Sequence, residues 1–139
     1  MVIRNIQSNI EKKFFKGKII IIVGPRQVGK TTLMKELCLN KKHKLFNCDN
    51  PTERQALNNR DIEFLEGIIG KADIIAIDEA QKVQTIGQTL KLLIDHYGKE
   101  KQIIATGSST INLLNNTQEP LTGRKVVFNL LPFSISEKC

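Results

Sequence analysis

The feature that most constrains this chain is a glycine-rich turn set between an apolar run and an amphipathic stretch. Ile19–Val23 is β-branched at every position, which favours a buried strand, and helical periodicity begins near Lys30. Glycines let such a backbone curl until successive N–H groups and the amino terminus of the following helix point at one anion. The turn and helix start comprise Gly24, Pro25, Arg26, Gln27, Val28, Gly29, Lys30 and Thr31. The chain is therefore predicted to contain a strand–loop–helix unit that binds phosphate groups.

Two side chains of this turn suit a nucleoside triphosphate and its magnesium ion. The ammonium group of Lys30 would reach the β- and γ-phosphates, and the hydroxyl group of Thr31 would bind Mg²⁺. Thr32 is counted with the turn residues as part of the nucleotide-binding set. Arg26 stands at a variable position of the pattern, and we expect its side chain to point outward. ATP and Mg²⁺ are therefore the expected cofactors.

Two carboxylates follow a second apolar strand. Asp73–Ile77 is predicted to be a buried strand, and Asp78 and Glu79 come directly after it. Ligands of open α/β sheets bind at the carboxyl ends of the strands. Asp78 would hold the magnesium ion, through water, and Glu79 would act as general base toward the attacking water. The turn and the acidic pair together are far more specific than either alone.

Small hydroxyl residues end the next predicted strand. Gln102–Thr106 is followed by Gly107 and Ser108, and both Thr106 and Ser108 are candidates to orient the water and the γ-phosphate. A helix N-cap is the alternative role for such a residue, and the sequence leaves the two roles open.

Arg124 precedes the last predicted strand. A cation there would stabilise charge on the transferring phosphoryl group, either in its own chain or from a neighbouring chain. A surface or structural arginine is the alternative.

Short apolar runs alternate with amphipathic stretches along the whole chain, which favours βα units and a parallel sheet. The expected class is a three-layer α/β/α fold with a mainly parallel, five-stranded sheet, as one domain over residues 1–139. The predicted strands are Lys18–Val23, Lys44–Asn47, Asp73–Ile77, Gln102–Thr106 and Lys125–Leu130. The predicted helices span residues 2–16, Lys30–Leu39, a region from Asn50 toward Gly70, Thr85–Tyr97 and a short segment ending at Leu114.

Composition excludes several classes of protein. The longest apolar run is far shorter than the ~20 residues that cross a bilayer, and the amino terminus lacks the apolar stretch of a secretory signal. Cys38, Cys48 and Cys139 have no metal-binding spacing and are interpreted as reduced thiols. We therefore expect a cytoplasmic protein without a membrane partner. Because the chain ends soon after its fifth predicted strand, we expect it to be part of a longer protein.

The net charge is +7 at pH 7, and most of it lies in residues 1–70. Clusters of lysine occur at Lys12, Lys13, Lys16 and Lys18 and again at Lys41, Lys42 and Lys44. Such clusters would suit nucleic acid. A solvated surface together with the cationic requirement of a triphosphate site is the alternative, and it is favoured over nucleic acid.

Five short motifs together resemble one known group of proteins. They are the residues 24–32, then Ile-Asp-Glu-Ala-Gln at 77–81, Ala-Thr-Gly-Ser-Ser at 105–109, Leu-Thr-Gly-Arg at 121–124 and Leu-Pro-Phe-Ser at 131–134. The chain resembles the prokaryotic AAA-type P-loop ATPases that usually precede a C-terminal domain of unknown function. The resemblance implies sheet order 5-1-4-3-2 and a catalytic role for Glu79. The family's partner cannot be carried over to this chain; a DNA or protein partner would bind through a C-terminal region, and an oligomer is compatible with the sequence. Residues 82–86 depart from the family, which often has a proline and an aromatic residue there.

The sequence is also compatible with other functions. A phosphotransferase would use the same loop, although Glu79 beside Asp78 favours hydrolysis. A helicase would need a second motor domain, and a GTPase would need an Asn-Lys-x-Asp segment, which residues 40–43 fail to provide at the last position. A nucleotide-binding regulatory module with little activity is the remaining alternative.

Overall fold

The structure, a computed structural model, describes residues 2–25, 29–58, 61–108 and 123–130, with the backbone alone for residues 2–5. Its helices are α1 (Val2–Glu11), α2 (Lys30–Cys38), α3 (Pro51–Leu57), α4 (Ile62–Ile69) and α5 (Ile86–Tyr97). Its strands are β1 (Ile19–Val23), β2 (His43–Asn47), β3 (Ile74–Asp78), β4 (Gln102–Gly107) and β5 (Lys125–Asn129). A 3₁₀ turn, Ala80–Lys82, follows β3.

The five strands form one sheet in the order β2-β3-β4-β1-β5, and all neighbouring strands are parallel. This order confirms the one implied by the family resemblance. The inner strand β1 pairs on both sides, with Ile21 opposite Ala105 of β4 and Val127 of β5. A strand covered on both faces and paired on both sides needs apolar residues throughout, which explains the unbroken run Ile19–Val23.

Helices cover both faces of the sheet, which confirms the three-layer architecture. Successive side chains of a strand point to opposite faces. Ile20 and Ile22 pack in one core with residues of α1 and α2, and Ile19 and Ile21 pack in the other with residues of α4 and α5. The two cores therefore come from a single alternating pattern.

The first helix ends earlier than the predicted span of residues 2–16. α1 stops at Glu11, and the chain then turns through Phe15 and Gly17, whose φ angles are 58° and 79°. The N–H of Phe15 donates to Oε1 of Gln102 at 2.7 Å, which ties this turn to β4. This contact, between residues 87 positions apart in the sequence, holds Phe15 in a turn, although the apolar residues up to Phe14 are spaced as in a helix.

The region from Asn50 toward Gly70 forms two helices where one helical region was predicted. Asn50 caps α3 by accepting from the N–H groups of Thr52 and Glu53. Asp61 caps α4 by accepting from the N–H of Phe64 at 2.9 Å. A second cap inside the periodic stretch is the reason for the break. The short helix predicted to end at Leu114 lies outside the described residues.

Parallel strands give the sheet two unlike edges. The carboxyl edge, where the strands end, holds the turn after β1, the acidic pair at the end of β3, and Gly107 at the end of β4. The amino edge, where the strands begin, lies on the opposite side.

Cys38 and Cys48 are buried free thiols. In the described part of the chain, no helix has both the length and the apolar character needed to cross a membrane.

Candidate nucleotide site

The turn after β1 lies against the end of β4. The N–H of Gly24 donates to the carbonyl oxygen of Gly107 at 3.1 Å, which anchors the start of the turn. Gly29 has a φ of 89°, a left-handed conformation that a residue with a side chain rarely adopts, and it is the N-cap of α2. The amino terminus of α2 therefore lies at the carboxyl edge. Arg26, Gln27 and Val28 lie outside the described residues.

Lys30 is buried at the first position of α2, with 4% of its surface exposed. Its Nζ donates to Oε2 of Glu79 at 3.3 Å and lies 3.5 Å from the carbonyl oxygen of Pro25. A buried ammonium group needs such partners, because the loss of its hydration is costly. The cation predicted to bind phosphate is thus paired with the predicted general base.

Asp78 lies between two hydroxyl groups. Oγ1 of Thr31 donates to Oδ2 of Asp78 at 3.0 Å, and Oγ1 of Thr106 donates to Oδ1 at 2.5 Å. Thr106 also accepts from the N–H of Glu79 at 3.0 Å. The fully buried hydroxyl of Thr106 therefore has its hydrogen directed at Asp78, and it fixes the end of β3 from the neighbouring strand.

The Glu79 carboxylate has hydrogen-bond donors at both oxygens. Oε2 accepts from Lys30, and Oε1 accepts from Nε2 of Gln81 at 2.8 Å and from Oγ of Ser108 at 3.2 Å. Burial raises the pKa of this carboxyl, but the hydrogen bond from Gln81, the charge and hydrogen bond of Lys30 and the hydrogen bond from Ser108 outweigh it. The net pKa is lowered, and Glu79 is ionised at neutral pH.

These groups surround a cavity of about 350 Å³ at the carboxyl edge. Its size is in the range of small-molecule sites. Its lining residues are Gly29, Lys30, Thr31, Thr32, Asp49, Asp78 and Glu79. The structure thus brings the last four of the predicted phosphate-binding residues and the acidic pair to one cavity, with Thr106 bonded to Asp78 and Ser108 bonded to Glu79.

The comparison with known proteins agrees with this arrangement of loop and strands. Residues 16–139 match the family model described as AAA domain. The chain belongs to this family. It is an ATP-binding domain of the AAA type, on a P-loop fold.

Individual relatives of the AAA domain are distant. Two uncharacterised proteins, of Mycobacterium bovis and Mycobacterium tuberculosis, are each 25% identical to it over 134 residues, which are 96% of this chain and 30% of theirs. The chain therefore spans about a third of the length of these curated relatives. Among solved structures, Drosophila ORC bound to DNA matches with a TM-score of 0.61 at 10% identity, covering 93% of this chain and 89% of that chain. A likeness at this identity shows the fold.

The oxygen groups of the AAA domain suit a magnesium ion. The hydroxyl of Thr31 and the carboxylate of Asp78 are adjacent and face the cavity that Lys30 also lines. Across the described ranges, no cluster of three or more His, Cys, Asp or Glu side chains is arranged to hold a metal. Mg²⁺ commonly binds through one or two protein oxygens, with water and substrate phosphates as its other ligands, so this donor set is sufficient.

The position of Arg124 corrects one prediction. Its carbonyl oxygen accepts from the N–H of Ile19, at the start of β1, and its guanidinium pairs with Asp95 near the end of α5. Arg124 therefore lies at the amino edge, separated from the cavity by the length of β1, about 13 Å at ~3.3 Å per residue. A role for Arg124 at the site of its own chain is contradicted, and a role toward a neighbouring chain stays a prediction.

Sequence reasoning missed two residues of the site. Asp49 lines the cavity and pairs with Lys82, and Gln81 donates to Glu79. Asp49 lies just beyond β2, whose last residue Asn47 is opposite Asp78, so the strand pairing would have indicated it. Gln81 belongs to the motif Ile-Asp-Glu-Ala-Gln, but no local signal assigns its amide to a particular partner.

Proposed function

We propose that this AAA domain hydrolyses ATP with magnesium. The observation behind the proposal is the convergence of Lys30, Thr31, Asp78 and Glu79 on one cavity at the carboxyl edge of the sheet. Four residues from two distant segments supply a cation, a hydroxyl and two carboxylates, which are the parts that hydrolysis of a phosphoanhydride needs.

ATP binding would break the ion pair between Lys30 and Glu79. The triphosphate carries more negative charge than one carboxylate, and the N-terminal N–H groups of α2 add donors and a favourable dipole. Lys30 would then contact the β- and γ-phosphates, and Oε2 of Glu79 would lose its donor. Nucleotide binding would therefore free the base at the site where water attacks.

In the chemical step, Glu79 would accept a proton from water while the water oxygen bonds to the γ-phosphorus. The bond from that phosphorus to the bridging oxygen breaks, and its electron pair leaves on the β-phosphate of ADP. Thr31 and Asp78 would hold Mg²⁺, which when bound neutralises charge on the phosphate oxygens. Ser108 would keep Glu79 in place through Oε1.

Glu79→Gln tests this division of roles. The amide has nearly the same shape but cannot accept the proton, so we expect a hydrolysis rate lower by at least 10²-fold. ATP should bind at least as tightly as it binds the parent, because Lys30 no longer pairs with a carboxylate. Calorimetry and single-turnover hydrolysis measure the two quantities. Glu63→Gln, at an exposed position of α4, is the control. Hydrolysis by Glu79→Gln at the parent rate would rule out Glu79 as the base.

The amino edge favours a second function, contact with nucleic acid. Basic residues precede or begin every strand, in spatial order Lys41, Lys42, Lys71, Lys99, Lys101, Lys16, Lys18, Arg124 and Lys125. Within the described parts of the same segments, the opposing carboxylates are Asp73 and Glu100, and Asp95 of α5 pairs with Arg124. With strands about 4.8 Å apart, the row is roughly 19 Å wide. We propose that it contacts the phosphates of a DNA duplex.

Salt dependence tests the DNA proposal. About four phosphate contacts give a slope near −4 in log affinity against log salt, so affinity for a 20-bp duplex should fall about 10²-fold between 50 and 200 mM NaCl. The double variant Lys16→Glu, Lys18→Glu should weaken binding, whereas Lys35→Glu on α2 should change it less. Fluorescence anisotropy measures the DNA affinity of each variant and its dependence on salt. The ORC structure contains DNA, but at 10% identity the proposal rests on the charges of this chain. Affinity that is independent of salt would contradict it.

A further inference from the structure

The side chain of Gln81 completes a closed set of hydrogen bonds with the proposed base. Its Nε2 donates to Oε1 of Glu79 at 2.8 Å and to Oγ of Ser108 at 3.0 Å. Ser108 in turn donates to the same Oε1 at 3.2 Å. Every donor in this ring has one acceptor: the two amide hydrogens and the hydroxyl hydrogen are all used. The ring holds one oxygen of the carboxylate and leaves the other to Lys30.

The orientation of the Gln81 amide follows from the charge of its neighbour. The reverse orientation would place the amide oxygen against the Glu79 carboxylate and leave two acceptors facing each other. In the orientation present, Oε1 of Gln81 is buried and has no hydrogen-bond partner among the residues that the structure describes. A buried acceptor without a donor disfavours this position. The two hydrogen bonds to Glu79 and Ser108 are therefore what keep the side chain there.

The backbone brings Gln81 back over the base. Glu79 has φ 55° and ψ 48°, a left-handed conformation that is strained for a residue with a side chain. The 3₁₀ turn Ala80–Lys82 starts directly after it, and the N–H of Lys82 donates to the carbonyl oxygen of Glu79 at 3.1 Å. This tight turn lets a side chain two residues along the chain reach the Glu79 carboxylate.

The two carboxylate oxygens of Glu79 thus have different hydrogen-bond partners. Oε2 bonds to Lys30, whose amine would turn to phosphate in the proposed hydrolysis, and Oε1 bonds to Gln81 and Ser108. We propose that Gln81 is a positioning residue that fixes Oε1, so that the freed Oε2 faces the attacking water. This inference rests on the proposed hydrolysis by Glu79.

The test separates the rate of hydrolysis from ATP affinity. Gln81→Met keeps the length of the side chain and removes both donors. We expect the single-turnover rate to fall 10- to 100-fold, as is usual when a partner that orients a reactive group is lost. The dissociation constant for ATP, measured by calorimetry, should stay within twofold. Gln84→Met, an exposed glutamine on the same segment, should match the parent in both quantities.

A double-mutant comparison shows whether Gln81 acts through Glu79. In the Glu79→Gln background, Gln81→Met should cause no further loss of rate, because the group it positions no longer accepts a proton. Gln81→Leu provides a second variant whose side chain cannot donate, and it covers the case in which Gln81→Met fails to fold. Thermal melts check folding.

Four results would overturn the inference. Gln81→Met could hydrolyse ATP within twofold of the parent rate, or lose affinity by the same factor as rate, which indicates a structural role alone. It could also lose further rate in the Glu79→Gln background, which places its action elsewhere. If Glu79→Gln itself turns over at the parent rate, the proposed base is wrong and the inference fails with it. That outcome is distinct from the first three, in which Glu79→Gln is inactive.

Discussion

Lys30 and Glu79 form a buried ion pair that connects the two halves of the site. Their side chains are 3% and 7% exposed, so neither charge is well hydrated. Removing one member of such a pair leaves the other charge buried, and this usually costs several kcal/mol, about 3–5. Gln81 and Ser108 reduce that cost for Glu79, because they continue to donate to its carboxylate. The charges of Lys30 and Glu79 therefore compensate each other at the cavity.

Lys30→Ala should weaken ATP binding by at least tenfold, about 1.4 kcal/mol. The substitution removes the cation that faces the phosphates, and the adjacent N–H groups of α2 remain. Calorimetric titration with ATP and MgCl₂ measures the effect, and Lys35→Ala on the exposed side of α2 is the control. Equal affinity in Lys30→Ala and the parent would remove the basis for assigning this loop to phosphate.

At the scale of elements, the connection from β2 to α3 links a strand end to a helix cap. Oδ1 of Asn50 accepts from the N–H groups of Thr52 at 2.9 Å and Glu53 at 3.4 Å. Oε1 of Glu53 accepts from the N–H of Asn47 at 2.9 Å, and Pro51 occupies the first turn. The start of α3 is therefore fixed to the end of β2, beside the cavity residue Asp49.

Asn50→Ala should lower the free energy of unfolding by about 1 kcal/mol, since two N–H groups lose their acceptor. For a domain of this size, Tm should fall by about 4 °C. Differential scanning calorimetry measures the shift. Thr52→Ala, which keeps the capping acceptor and changes an exposed side chain, should stay within about 0.5 kcal/mol of the parent. A melting temperature unchanged by Asn50→Ala would show that the cap is dispensable.

At the scale of the whole molecule, the two edges of the sheet have different charges. Asp49, Asp78 and Glu79 line the cavity at the carboxyl edge, and the described lysines before the strands collect at the amino edge with Arg124. The parallel order of the strands produces this separation, because every connection before a strand reaches the same edge. A neighbouring chain that places its amino edge against this cavity would supply cationic side chains to it.

Hydrolysis by this chain should be slow at low concentration, below about 1 s⁻¹, and should rise with protein concentration. Lys30 is the cation that the described residues place at the cavity, and Arg124 lies at the opposite edge of its own chain. An arginine supplied by a neighbour is worth about 10³–10⁵ in rate. Single-turnover hydrolysis over a range of protein concentrations measures the dependence. Arg124→Ala should abolish the rise, and the adjacent Lys125→Ala should keep it. A fast rate that is independent of concentration and survives Arg124→Ala would contradict the prediction.

The sequence by itself determined the elements of the sheet and the residue types at its carboxyl edge. Strand cores such as Ile19–Val23 and residues 74–77 are visible because burial on both faces demands apolar residues at every position. The loop before α2 and the acidic pair after β3 are local patterns, so their residues could be named without a structure. Their roles in binding and hydrolysis stay predictions. Strand order came from the family resemblance, and the structure confirms it.

Only the tertiary structure decided which of these groups touch. The structure directs the hydroxyl hydrogen of Thr106 at Asp78, and its role toward water stays a prediction. The amide of Gln81 and the hydroxyl of Ser108 meet at Glu79, whereas Arg124 lies at the far edge. These contacts join residues that are distant in sequence, and they depend on which strands are neighbours and in which register they pair. Local periodicity contains neither the order of the strands nor their register, because both depend on how the whole sheet buries its two faces.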